Sequence, residues 1–367
     1  MAYVNGVMQM AKQIKNVYSE LCSYENLYEA YLQARKGKRF RDEILQFSFN
    51  VEEFLLELRD ELINHTYAVG GYREFFIYEP KKRLIMALPF KDRVVQWAIY
   101  QLINPIFDKG YIFDSYGCRN NKGTLKAVQR LYYWLKLVGK KEKKYYYLKL
   151  DMSKYFYRVD HKALIDLLRT KIADKELLWL LETIINYDGV AFGLKLNGNV
   201  DDPADRLKGK GMPIGNLTSQ MFANLYLNEL DQYCKRQLGI KYYVRYMDDV
   251  IILSEDKKKL HEYKSLIEEF IGSKLNLNLN NKTAIRPITL GVEFVGYKVF
   301  PTHLKVRKST SLKMKRRLKY VKKQYERDNM TLDKVNATVQ SYMGILKHCN
   351  SYSLQRAVFD NYILRKE

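Results

Sequence analysis

Three carboxylates carry the chemistry that this sequence advertises. Asp248 and Asp249 are adjacent in Tyr246-Met247-Asp248-Asp249, flanked by strand-forming residues, Tyr242 to Val244 before and Val250 to Leu253 after. Two neighbouring carboxylates at a hairpin tip repel one another unless a cation lies between them. An Asp-Asp turn is a weak signal alone, because acids favour turns for local hydrogen bonding. Asp151 supplies a partner, since it ends the apolar run Tyr145–Leu150. If that strand pairs with the Tyr246 hairpin, three hard oxygen donors converge, the ligand type that suits Mg²⁺. Two such ions ~4 Å apart can activate a hydroxyl nucleophile and stabilise a leaving pyrophosphate. In this reading Asp151 and Asp248 bridge the metals and Asp249 is more peripheral. No histidine and cysteine cluster competes; His161, close after Asp160, reads as structural, as do the other four histidines.

The elements that must position these acids follow from periodicity. Residues 1–65 read as helical: Asn50 with Glu53 has the spacing of a capping box, and Phe54, Leu55, Leu58 and Leu62 then share a face. A hairpin follows, with Tyr72–Glu79 and Arg83–Leu88 joined by the turn Pro80-Lys81-Lys82. A helix over Asp92–Ile103 should stop near Pro105, and residues 121–139 form an amphipathic helix. Tyr145–Asp151 is a buried strand, and 161–187 are helical. A Gly- and Asp-rich loop (Gly189–Gly211) leads into a helix starting near Asn216, whose buried stripe is Phe222, Tyr226, Leu230 and Tyr233, with Gly239 as a C′ residue. Short strands flank Met247-Asp248, a helix covers about 257–271, a hairpin runs through Gly291–Val306, and the last sixty residues are helical. The stretch 162–210 fits either of two subdomains.

Composition points to a polyanionic partner. The 63 Lys and Arg outnumber 41 Asp and Glu, for a formal net charge of +22, and each phosphate such cations neutralise releases condensed counterions. Between Pro301 and Met330, eleven Lys and Arg face two acids, so that segment alone contributes +9. Tyrosines interleave with lysines, as in Lys140–Lys149 (KKEKKYYYLK), a pattern that suits a phosphate track with base stacking. Cys22, Cys118, Cys234 and Cys349 are scattered without a CxxC pair, which argues against zinc and a disulfide framework and fits a reducing cytoplasm. The amino terminus lacks the apolar core of a signal peptide, and no apolar run approaches the ~20 residues of a membrane span. The expectation is a soluble cytoplasmic protein.

In these positions the chain resembles the reverse transcriptase family over most of its length. Asp151 with Phe156 five residues later resembles motif A, Gly211–Gln220 (GMPIGNLTSQ) motif B, and Tyr246–Asp249 the YMDD box of motif C. Asn278–Thr283 (NLNNKT) resembles motif D and Gly291–Tyr297 (GVEFVGY) motif E, the primer grip. Lys81-Lys82-Arg83 and Asp92-Arg93 resemble the fingertip motifs that meet the triphosphate, and Arg119 with Gly123 the template-side motif.

The resemblance implies an α+β right-hand polymerase, with an antiparallel palm sheet and a helical thumb. Its expected parts are fingers at 1–143, palm at 144–300 and a basic thumb at 301–367. It implies catalysis by Asp151, Asp248 and Asp249, with two Mg²⁺ ions (Mn²⁺ as a possible substitute) held by these acids and Met152. Lys282 becomes the proton donor to pyrophosphate. The dNTP would meet Lys82, Arg83, Arg93, Met152, Phe156, Ile214, Gly215 and Gln220. Phe156 would leave no room for a 2′-hydroxyl, which selects dNTP over NTP and disfavours an RNA-copying RNA polymerase. Template RNA and an RNA/DNA hybrid are the implied partners. No RNase H or endonuclease segment is recognisable, so strand removal or integration is expected from other proteins.

Motif B departs from the QG…SP pattern of retroviral and group II intron enzymes: Ile214-Gly215-Asn216-Leu217-Thr218-Ser219-Gln220 is IG…SQ. This, with Ser341–Leu354 in the thumb, resembles the enzymes of bacterial diversity-generating retroelements. Those enzymes misincorporate opposite template adenines and work with a basic, helical, ring-forming accessory protein. Two other readings stand beside this one. The first is a phage-defence or domesticated bacterial reverse transcriptase without mutagenesis. The second is a non-catalytic RNA-binding protein on the polymerase scaffold, against which the intact aspartates speak.

Overall fold

The computed structural model describes residues 13–78, 82–360 and 362–365. In chain order it begins with four helices, α1 (Tyr18–Leu21), α2 (Tyr24–Arg35), α3 (Asp42–Phe49) and α4 (Val51–Ile63). The hairpin β1 (Arg73–Ile77) and β2 (Arg83–Ala87) precedes α5 (Phe90–Gly110) and α6 (Thr124–Val138). Next come β3 (Tyr146–Asp151), α7 (Tyr155–Arg158), α8 (His161–Lys171), α9 (Lys175–Ile185), and the two-residue strands β4 (Gly193–Leu194) and β5 (Arg206–Leu207). Then follow α10 (Leu217–Gln232), β6 (Tyr242–Tyr246), β7 (Asp249–Ser254), α11 (Lys257–Leu275) and β8 (Ala284–Pro287). The chain continues through β9 (Val292–Phe294), β10 (Tyr297–Val299) and β11 (Leu304–Val306) to α12 (Lys308–Glu326), α13 (Leu332–Leu346) and α14 (Tyr352–Phe359).

These elements form two compact units that share the chain. The first takes 1–112, 152–233 and 267–280. Two of its helices begin on aspartate caps: Asp160 accepts from Ala163 N at 3.1 Å to start α8, and Asp174 accepts from Leu177 N at 3.1 Å to start α9. The second oxygen of Asp174 accepts from Val17 N (2.7 Å) and Tyr18 N (3.1 Å), which ties α1 to α9. Residues 162–210 lie wholly in this unit.

The second unit takes 113–151, 234–266 and 281–367. Its centre is an antiparallel sheet in the order β6-β7-β3-β8. Alternation puts Tyr147, Lys149 and Asp151 of β3 on one face, opposite Leu253, Ile251 and Asp249 of β7. That face packs on α6 through Leu131, Trp134 and Leu135, and on Phe294, Tyr297 and Val299 of the second sheet, β9-β10-β11. Fully burying each large apolar side chain is worth roughly 1.5–3 kcal/mol, so this core can hold charged residues at its rim. The helices α12 and α13 close on each other through Met314, Leu318 and Leu346.

Four expectations need correction. Asn50 makes no side-chain cap and its backbone is turned away from capping geometry (φ −120°, ψ 41°), so the capping box does not form; α4 still buries Leu55, Leu58 and Leu62, whereas Phe54 is left at the surface against Phe47. The helix of Asp92 does not stop at Pro105, because α5 runs to Gly110, with Ile103, Asn104 and Phe107 buried around the proline to offset one lost hydrogen bond. The helix α10 buries more than a stripe: Met221 through Asn228 are all buried, and apolar periodicity cannot register the buried Asn224, Asn228 and Asp231. Gly291–Val306 is three strands rather than one hairpin, because the chain reverses again before Leu304. Of the fingertip turn, residues 79–81 lie outside the described residues, as do residues 1–12 of the expected N-terminal helices.

Candidate active site

Register builds the carboxylate site. β3 and β7 pair so that Asp151 stands opposite Asp249, and β6 pairs with β7 so that Tyr246 also stands opposite Asp249. Met247-Asp248 is thus a two-residue turn, with Met247 in the left-handed region at φ 53°. Gly117 lies under this turn: a Cβ there would stand 2.6 Å from Met247 Sδ and 2.8 Å from Met247 N. The buried Arg245 secures the turn from the other face of the sheet. Its Nη1 donates to Met247 O at 3.0 Å and its Nη2 to Ser115 Oγ at 2.9 Å.

The electrostatics are those of crowded acids. Burial pushes the Asp249 carboxyl up to about 6, the Lys149 ammonium pulls it back, and the charges of Asp248 and Asp151 raise it further. Asp249 Oδ2 accepts from Lys149 Nζ at 3.0 Å, while Oδ1 is buried without a hydrogen-bond partner among the described residues. An orphaned carboxylate oxygen costs free energy unless something donates to it or coordinates it. Hard oxygen donors with one buried lone-pair set unanswered fit a divalent cation of the Mg²⁺ type. Among the described residues, no three His, Cys, Asp or Glu side chains form a ready cage; instead an ammonium group lies against Asp249.

The remaining expected site residues are distributed as follows. Lys282 is exposed in the turn before β8, next to Thr283, whose Oγ1 accepts from Asp151 N at 3.5 Å. Arg119 Nη1 donates to Ser115 O at 2.9 Å, and Gly123, at φ 100°, precedes α6.

In the first unit, Met152 is buried and bridges Leu279. Phe156 on α7 is half-buried, with its carbonyl accepting from Met212 N at 2.7 Å. Ile214 O accepts from Met86 N at 3.2 Å, and a Cβ added at Gly215 (φ 120°) would stand 3.3 Å from Ile85 Cγ2. The unit therefore draws Phe156, Ile214 and Gly215 onto segments that adjoin through Met212 and β2. Gln96 Oε1 caps α10 by accepting from Leu217 N at 3.0 Å, and Gln220 is half-buried on its first turn.

Of the basic residues expected at the triphosphate, Lys82 and Arg93 are engaged within this unit. Lys82 pairs with Asp201 at 2.6 Å and lies 4.6 Å over the Phe76 ring, whereas Arg83 is exposed at the start of β2. Arg93 is tied to Glu43 at 3.0 Å and to Leu88 O at 2.8 Å. His161 is buried, with Nε2 2.7 Å from Gly211 O, and burial lowers its pKa.

Sequence reasoning passed over Lys149 and Arg245. Each is a charged residue inside an otherwise apolar strand, and that interruption was the available signal.

Comparison with known proteins identifies the family. Residues 79–299 match the family described as reverse transcriptase (RNA-dependent DNA polymerase). The chain is 26% identical over 277 residues to Protein YkfC of Escherichia coli (strain K12), covering 66% of this chain and 70% of that protein. It is 25% identical over 226 residues to the group II intron-encoded protein LtrA of Lactococcus lactis subsp. cremoris, covering 60% of this chain but 34% of LtrA. The structure of apo telomerase from Candida tropicalis aligns with a TM-score of 0.48 at 13% identity, over 84% of this chain and 64% of that one. No helix among the described residues is long and apolar enough to cross a membrane. The helices and the antiparallel sheets agree with the expected right-hand polymerase fold, and the chain belongs to the reverse transcriptase family of RNA-directed DNA polymerases.

Proposed function

We propose that the chain copies an RNA template into DNA at the carboxylates of Asp151, Asp248 and Asp249. The observation that carries this reading is the pairing of Asp151 with Asp249 beside a buried, unpartnered Asp249 oxygen. Two Mg²⁺ ions, or Mn²⁺ in their place, would be held by these acids with Met152 adjoining, and would lower the barrier to attack by a primer hydroxyl. The other residues that the resemblance singles out have separate duties in this reading. Phe156 excludes a 2′-hydroxyl, Lys82, Arg83 and Arg93 meet the triphosphate, and Ile214, Gly215 and Gln220 border the nucleotide. Lys282 gives a proton to the leaving pyrophosphate. The division into fingers (1–143), palm (144–300) and basic thumb (301–367) belongs to the same reading, with the thumb's charge gripping the RNA/DNA hybrid.

Primer extension on an RNA template with Mg²⁺ and dNTPs tests it. Wild type should synthesise cDNA, and Asp248→Ala should lose at least about 10³-fold, as expected when several kcal/mol of charge stabilisation disappear. A wild type that binds RNA yet makes no cDNA under any condition, or an undiminished variant, would return the chain to the class of non-catalytic RNA binders.

A finer reading is supported by the IG…SQ pattern of Ile214–Gln220: cDNA synthesis with errors at template adenines, within a diversity-generating retroelement and with a basic ring-forming accessory protein. An aliphatic Ile214 offers bulk and no side-chain hydrogen bond near the incoming nucleotide. Ile214→Gln should therefore lower the error rate at template adenines several-fold, read by sequencing the cDNA. Faithful cDNA from wild type, with and without the accessory protein, would instead favour a defence or domesticated enzyme.

A further inference from the structure

Lys149 holds its ammonium group against a catalytic carboxylate, and its placement is specific. Alternation along β3 puts it on the same face as Asp151 and two residues away. Its Nζ donates to Asp249 Oδ2 at 3.0 Å and to the backbone carbonyl of Glu293, at the centre of β9, at 2.8 Å. Both side chains of the pair are 24% exposed, so solvent screens them less than it would a surface pair. The flexible four-carbon stem of lysine can move a compact charge by several ångströms, which a planar guanidinium does less readily. The Glu293 carbonyl would keep such a charge nearby after it left the carboxylate.

We propose that Lys149 is a positioning residue that acts as a resident cation: it holds Asp249 in place when no divalent ion is bound, competes with the ion for that carboxylate, and withdraws to Glu293 when the ion arrives. This deepens the proposed function and rests on its metal reading. The ammonium engages Oδ2 and leaves Oδ1 open, so the arriving ion meets a carboxylate already oriented and half satisfied. The consequence is weaker but more reversible metal binding in the free enzyme.

The test is Mn²⁺ binding to the whole chain without nucleic acid, measured by electron paramagnetic resonance at mildly alkaline pH. Lys149→Met and Lys149→Gln both remove the charge, and Gln retains a donor for Glu293. Lys149→Arg retains the charge. Both neutral variants should bind Mn²⁺ about tenfold more tightly than wild type, as expected when the ammonium no longer competes for the Asp249 carboxylate. Lys149→Arg should bind no more tightly than wild type, and in an Asp249→Asn background Lys149→Met should change nothing. Neutral variants that bind Mn²⁺ like wild type or more weakly overturn the proposal, including the case where only their melting temperature falls. Primer extension by wild type keeps the two questions apart: an active enzyme with unchanged Mn²⁺ affinity in the variants removes the role of Lys149 alone, whereas an inactive wild type removes the polymerase reading.

Discussion

Asp92, fully buried, and Asp249, 24% exposed with one oxygen buried, are carboxylates of the two units, and their surroundings differ. Asp92, in the first turn of α5, accepts from Tyr67 Oη at 2.6 Å and from Gly70 N at 3.2 Å. Burial raises its carboxyl, and these donors work against the rise. Asp249 has one ammonium on one oxygen, nothing among the described residues on the other, and two more acids beside it. The first is an acid whose Oδ1 is held by two neutral donors in the first turn of a helix. The second is left incomplete where the strands could have supplied apolar residues. A fold tolerates such a group when a ligand supplies what is missing.

Three experiments sharpen this contrast. The largest effect should come from displacing the open site without touching its acids. In Gly117→Ala the new Cβ must push away Met247 Sδ and N, which would otherwise lie 2.6 and 2.8 Å from it, and the Met247-Asp248 turn moves with them. Primer extension should fall by roughly 10²-fold, the penalty typical of ångström-scale misplacement. Wild-type rates in that variant would show that the turn's position is not critical. Next, Asp92→Ala should cost about 1–3 kcal/mol of stability, because Tyr67 and Gly70 lose a buried acceptor. Denaturant unfolding checks it, and a loss below ~0.5 kcal/mol would make Asp92 as dispensable as a surface acid.

The smallest effect is a slope. The Asp249 carboxyl is raised from 3.8 to about 6, so between those values the native state keeps a proton that the unfolded chain has released. Stability from this group is therefore greatest at low pH, falls as pH rises through that window, and is level above it. With metal removed by EDTA, Asp249→Asn should lack this fall, a difference on the order of 1 kcal/mol once solvent screening is allowed for. Parallel pH profiles for the two proteins would show that the site carries no strain from its charges.

Much of this was legible beforehand, and the failures have physical causes. The strands around Asp151, Asp248 and Asp249 could be read because apolar runs ending in acids are rare without a purpose. Their mutual register could only be supposed, since pairing depends on partners distant in sequence. Pro105 misled because tertiary burial outweighed one lost hydrogen bond. The capping box at Asn50 misled because the side chain pattern was present but the backbone turned elsewhere. Lys149 and Arg245 were passed over because a charged residue that interrupts an apolar strand reads as an exposed position until its neighbours are known. Arg245 is in fact fully buried.

The order of strands also bears on how the protein is made. β3 is synthesised first yet occupies the interior of its sheet, flanked by β7 and β8, which come later. Lys149 and Asp249, which must meet, are 100 residues apart. Closing such a loop costs entropy before any contact repays it, so pairing of this kind is intrinsically slow. Until β7 has left the ribosome, β3 presents two unpaired edges and a solitary acid, a template for mispairing rather than a binding site. A nascent chain halted within α11 would already hold Asp151, Asp248 and Asp249, whereas one halted within α10 would hold only Asp151. The three carboxylates are therefore all present only once β7 has been synthesised.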